Sequence, residues 1–160
     1  MKIEHDKALR EQLLHAMLGD ESHIDFDSAL SDLTAELGGV KPHSAPHTAW
    51  QLLEHMRIAQ HDILEFSRNP NHKSPTWPEG YWPKTETPPN QHAWELSVAS
   101  FKKEAKEMDN LIMDATQDLF KAIEGGSGQT LLREALVVAA HNSYHLGQLV
   151  FLKKMLQAAK

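Results

Sequence analysis

Residues 69–90 read NPNHKSPTWPEGYWPKTETPPN, and this stretch decides the architecture. It holds six prolines: Pro70, Pro75, Pro78, Pro83, Pro88 and Pro89. Proline has no backbone N–H and its ring clashes with the preceding helical turn, so the stretch is neither helix nor central strand. It also holds Trp77, Tyr81 and Trp82, whereas disordered linkers are poor in aromatics. An ordered loop packed by its own rings is expected, and loops of this length in compact domains tend to be functional. At about 3.3 Å per residue it reaches about 70 Å, against about 30 Å for a helix of about 20 residues. It can therefore cross a bundle from end to end, and the helices it joins can run parallel.

Outward from the loop, every segment reads as helix. Thr48 to about Ser67 begins with a Thr48/Gln51 capping box and places Trp50, Leu53, Met56, Ile63 and Phe66 at helical spacing. Asn69-Pro70 ends it. On the other side, Asn90 can cap a helix carrying Trp94, Leu96, Val98, Phe101, Ala105, Met108, Leu111 and Ile112. A connector follows, with Leu119, Phe120 and Ile123 as expected anchors and Gly125 to Gly128 as a flexible turn. Thr130 opens the last and most apolar helix, reaching about Ala158. Near the start, Glu4 to Leu18 carries Leu9, Leu13, Leu14 and Met17, with Gly19-Asp20 as the stop. Asp25 to Leu37 gives a second stripe of Phe26, Leu30, Leu33 and Leu37, ended by Gly38-Gly39. The first two segments can be separate helices or one bent helix. No strand-like alternation and no internal repeat is found. The fold class is all-α, a four-helix bundle with one long connection and a short extra N-terminal helix. The 160 residues are expected to form a single domain, 1–160.

Composition narrows the function. Zero cysteines exclude a disulfide scaffold, a cysteine-based zinc site, an iron–sulfur centre and a protein thiol nucleophile. A net charge of −6 argues against nucleic acid as the main partner, since duplex binding needs a basic face. The first residues are interrupted by charges, so they form no signal-peptide core. The longest apolar stretch, Ala135 to Ala140, is far short of the roughly 20 residues of a membrane span. A cytoplasmic protein with no membrane partner is expected.

Eleven histidines remain, and imidazole is the commonest protein metal ligand. His141 and His145 lie in HNSYHLGQ on the last helix. Four residues at about 100° each bring them within about 40° of one face, one turn apart. Val138, Leu149 and Leu152 share nearly the same stripe, so both imidazoles point toward the core. Burying two adjacent imidazoles is costly unless both are satisfied, and a metal satisfies both at once. His55, flanked by Leu52, Met56 and Ala59, is the best candidate for a third ligand from another helix. His61 is about 240° further round that helix and faces elsewhere. His47 lies before the cap, about 12 Å along the axis from His55. Three neutral histidines leave coordination positions open, the pattern of catalytic rather than structural sites.

WQLLEHMRIAQHDILEF on one helix and HNSYHLGQLVFLKKML on the last resemble the DinB/YfiT superfamily of metal-binding four-helix bundles. The resemblance runs from about residue 5 to 158, and its most specific part is H-x-x-Y-H-x-G-Q. It implies the up-down-down-up arrangement with the crossover at about residues 69–90. It implies His55, His141 and His145 as ligands of a divalent ion such as nickel or zinc, and a homodimer. Relatives of this kind include S-transferases that use bacillithiol or mycothiol, and a mycothiol-dependent maleylpyruvate isomerase. A small-molecule substrate and a low-molecular-weight thiol cosubstrate are expected on that basis. Tyr144 and Gln148 are candidates to orient a ligand imidazole, and Trp77, Tyr81 and Trp82 to lid the pocket. Gly147 is expected to permit a close helix approach.

The leading expectation is thiol S-transfer, because a divalent cation favours the thiolate form of a thiol. Its first rival is a metal-dependent hydrolase, which would need a carboxylate from Asp25, Asp27 or Glu95 folded in as a base. Its second is a non-catalytic, stress-related metal-binding protein. A carboxylate at the site favours hydrolysis, and an apolar pocket open to a thiol tail favours transfer.

Overall fold

The Thr48 hydroxyl accepts the Gln51 N–H at 3.2 Å, and the Gln51 side chain accepts the Thr48 N–H at 3.0 Å. This reciprocal cap satisfies two N-terminal donors and starts helix Ala49–Arg68. The computed structural model describes residues 2–19, 22–43 and 45–158. Among them the chain forms α1 Lys2–Leu18, α2 Phe26–Leu30, α3 Ala35–Gly38, α4 Ala49–Arg68, α5 Gln91–Met113 and α6 Leu131–Ala158. There are no strands among the described residues, only an isolated bridge between Ala122 and Thr130. Four helices are long, and they pack as a bundle in which α4 lies against α5 and α6, and α1 against α6 and α5.

The crossover runs back along α4. Tyr81 bonds Asp62 and His55, then Thr85 accepts from the Trp50 indole at 3.2 Å, then the Glu86 carbonyl accepts from Thr48 at 2.6 Å. The loop has thus returned to the start of α4 before α5 begins. Cross-helix partners consequently climb in step: Glu54 with Ser97, Gln60 with Phe101, His61 with Glu104, Arg68 with Glu107. Helices α4 and α5 run parallel. Against α6 the order reverses, since His55 meets His145 while Gln60 meets Asn142.

Two apolar clusters fill the bundle. One gathers α2, α3 and the first half of α4 with α5 and the end of α6, around Trp50, Leu53, Met56, Trp94, Phe101 and Leu149. The other joins α1 to the far halves of α4 and α5 and the start of α6, around Leu13, Leu64, Met108, Ile112, Ala135 and Val138. Each fully buried large side chain contributes about 1.5–3 kcal/mol. His141 and His145 lie on α6 where one cluster gives way to the other, and His55 lies among the first-cluster residues of α4.

Several expectations change. The stripe from Asp25 to Leu37 is two short helices, because Asp32 takes a positive φ of 66° and Thr34 caps a fresh start by accepting from the Leu37 N–H. The short extra helices therefore follow α1, which is itself one of the long four. Gly19 adopts φ 69° after α1, a C-terminal stop that favours glycine, while Asp20 lies outside the described residues. Leu119 is buried, but Phe120 is 64% exposed and anchors nothing. Among the described residues a Cβ at Gly147 would meet nothing within 4 Å, so this glycine serves no close approach there.

Candidate metal centre

The first half of α4 and the middle of α6 bring three imidazoles to one point. Nε2 of His55 lies 3.1 Å from Nε2 of His145 and 3.1 Å from Nε2 of His141. One ligand nitrogen from each residue lies within 4.8 Å of the others. His55 and His145 are buried and His141 is half-buried. His61 points away to Glu104, as its angular offset predicts.

The outer nitrogens decide what the inner ones can do. His55 Nδ1 is 2.8 Å from the Tyr81 main-chain carbonyl, which only accepts, so Nδ1 carries the proton. His145 Nδ1 donates likewise to the Gln148 side-chain oxygen at 2.7 Å. Both Nε2 atoms are then bare lone pairs, facing each other at hydrogen-bond distance with no proton between them. A cation at the shared point resolves this. A proton is a poor one, because burial lowers all three pKa values. His141 is pushed down to about 4 by burial and by neighbouring His145 and His55. Burial also lowers His55 and His145, despite the opposing pull of Tyr81 and Gln148. Neutral imidazoles with fixed tautomers are the form a divalent ion needs.

Aromatic residues cover the cluster unevenly. Trp82 stacks on His55 with 4.0 Å between centroids and 2° between planes, and also stacks on His47 at 4.2 Å. Tyr81 turns its phenol away from the histidines to Asp62. Trp77 is 71% exposed and packs on Tyr81, so it covers the loop rather than the cluster. Tyr144 is exposed and packs T-shaped against His145 with 4.9 Å between centroids, while Gln148 bonds that imidazole directly.

The three carboxylates named for a hydrolytic base are engaged elsewhere. Asp25 caps α2 through Ser28, Asp27 pairs with Lys102 at 2.7 Å, and Glu95 accepts from Gln91. A groove of about 380 Å³ lies beside the cluster, lined by Leu52, Phe151, Leu152 and Met155 with His47 and Gln148 as its polar groups. Sequence reasoning set His47 apart by its distance along the helix, but the chain before the cap folds back onto Trp82. It also gave Asp62 no role, although its place two turns after His55 was a usable signal.

Fold and site together define an all-helical bundle with a buried three-imidazole cluster that could hold a metal ion. The family model of the DinB superfamily matches residues 20–149, and the chain belongs to that superfamily. No curated protein and no solved structure matches the chain. Among the described residues no helix is long and apolar enough to cross a membrane.

Proposed function

We propose that this chain is a metal-dependent enzyme that activates a low-molecular-weight thiol for S-transfer. His55, His141 and His145 hold a divalent ion, nickel or zinc. The observation that carries the metal assignment is the pair of bare Nε2 lone pairs 3.1 Å apart on His55 and His145. When bound, the ion supplies Lewis acidity that favours the thiolate form of a thiol. The protein's own groups do the rest. The Tyr81 carbonyl and the Gln148 amide keep the two Nδ1 protons and so keep Nε2 free to coordinate. Trp82 covers one face of His55 and excludes water there. The groove lined by Leu52, Phe151, Leu152 and Met155 gives an apolar tail or an electrophilic cosubstrate a place beside the site. That groove supports transfer over hydrolysis, and the engagement of Asp25, Asp27 and Glu95 leaves the hydrolytic reading without its base.

The test is a turnover assay on fully zinc- or nickel-loaded protein, with bacillithiol, mycothiol, cysteine and glutathione against monochlorobimane. Thiol-dependent turnover that disappears on chelation supports the proposal. Stoichiometric metal without turnover for any thiol, together with a large loss of stability on chelation, favours the non-catalytic reading. The DinB-type up-down-down-up arrangement belongs to the same proposal, supported by the parallel course of α4 and α5. So do a single domain over residues 1–160, a cytoplasmic setting and a homodimer. The exposed Tyr144 and Phe151 of α6 offer apolar surface for the dimer, and sedimentation equilibrium reads the outcome.

A further inference from the structure

Two consecutive residues of the crossover grip His55. Tyr81 offers its carbonyl to Nδ1 at 2.8 Å, and Trp82 lies flat on the ring. Regular structure does little to hold that part of the loop, since a single helical turn, Glu79–Tyr81, is all that forms between α4 and α5. The Tyr81 phenol provides the anchor, donating to Asp62 Oδ2 at 2.6 Å. Asp62 is buried on α4, and its Oδ1 receives Nε2 of His72 at 2.7 Å. Both donors belong to the crossover, so this carboxylate fastens the loop rather than joining two helices. Burying it would be costly without those partners. Asp62 follows His55 by seven residues, which at about 100° and 1.5 Å each puts it within about 20° of the same face and about 10.5 Å along the axis. Tyr81 bridges that gap, ring end on Asp62 and carbonyl on His55.

We infer that Asp62 is a positioning residue for the three-histidine site, acting through the Tyr81 phenol on the carbonyl that fixes the His55 tautomer and ring plane. The inference rests on the proposed metal site. Without the phenol bond, residue 81 keeps its main-chain bond to Pro78 and its ring packing on Trp77 but loses its tie to α4, and its carbonyl holds the imidazole less firmly on the shared point. Removing a ligand's outer partner outright weakens metal binding by about ten- to a hundred-fold, and loosening this carbonyl weakens it toward the lower end of that range.

The experiment compares wild type, Tyr81→Phe, Asp62→Ala, Asp62→Asn and the Asp62→Ala/Tyr81→Phe double variant. It reads Zn²⁺ affinity by competition with a chromophoric chelator, the visible spectrum of Co²⁺-loaded protein, and the melting temperature without metal. The expected result is a loss of about ten-fold in Zn²⁺ affinity for Tyr81→Phe and Asp62→Ala, with shifted Co²⁺ bands. The double variant binds no more weakly than Asp62→Ala, because both changes cut one path. Asp62→Asn, which keeps an acceptor for the phenol, recovers most of the loss. Variants that melt lower without metal, yet match wild type in Zn²⁺ affinity and Co²⁺ spectrum, overturn the inference alone. A wild-type protein that binds neither ion overturns the metal site and the inference with it. If Asp62→Ala does not fold, Tyr81→Phe decides the matter, since it removes one oxygen from a half-buried ring.

Discussion

His55 and His145 meet across α4 and α6 with their Nε2 atoms 3.1 Å apart, and neither nitrogen has a proton to offer the other. Two facing lone pairs at this distance repel unless a cation stands between them.

Metal should therefore stabilise the fold. At a free zinc concentration about a hundred times Kd the gain is about 2.7 kcal/mol, and a domain of this size should melt about 5–10 °C higher. His145→Ala should abolish the rise and the bound metal. Thermal melting with elemental analysis checks both, and unchanged metal content in the variant would sink the assignment.

Gln148 should matter through one hydrogen bond. Gln148→Leu removes the acceptor from His145 Nδ1 and should weaken zinc binding by about ten- to a hundred-fold. Gln148→Glu keeps an acceptor there and should bind more tightly than the Leu variant. Chelator competition ranks the three proteins.

Acid should loosen the α4–α5 seam. Burial pushes the Glu54 carboxyl up, but bonds from Arg57 and Ser97 more than offset this and leave its pKa below the ordinary value. A depressed carboxylate adds stability above the unfolded value of about 4.3, and that stability is lost as pH falls through the lower folded value. Glu54→Gln should therefore flatten the acid limb of a stability–pH curve while costing stability at neutral pH. Urea titrations at pH 7 and pH 3 supply the comparison.

Arg10 of α1 is buried and donates to the carbonyls of Ile112, Asp114 and Gln117, tying α1 to the end of α5 and the turn beyond. Arg10→Met leaves the Ile112 and Gln117 carbonyls without this donor, while Asp114 keeps the Gln117 N–H, and should cost about 2–4 kcal/mol, since each buried unpaired group costs about 1–3 kcal/mol. Asp6, its carboxylate partner, is 42% exposed, and Asp6→Ala should cost under about 1 kcal/mol. Equal losses for the two variants in denaturant unfolding would contradict this account.

Local stereochemistry made part of the molecule legible in advance. The Thr48 cap, the six crossover prolines and the four-residue spacing of His141 and His145 act within a turn or two of their own position. The break at Asp32 was hidden because the apolar period of Phe26, Leu30, Leu33 and Leu37 continues across it. That His55 stands opposite the pair depends on how α4 and α6 pack, which spacing does not encode. Least legible was Tyr81, whose contribution to His55 is a main-chain carbonyl that any residue carries. Its neighbour Trp82 looked like lid material by residue type alone, and only the return of the loop along α4 sets it flat on an imidazole.

That placement makes the site audible. Trp50 and Trp94 pack against each other and Trp77 against Tyr81, so among the described residues Trp82 is the one indole in ring contact with imidazoles. Whatever arrives at His55 changes the surroundings of that excited state. The crossover thus lays a native fluorophore against the histidine cluster, and its emission can report events there in real time without any label.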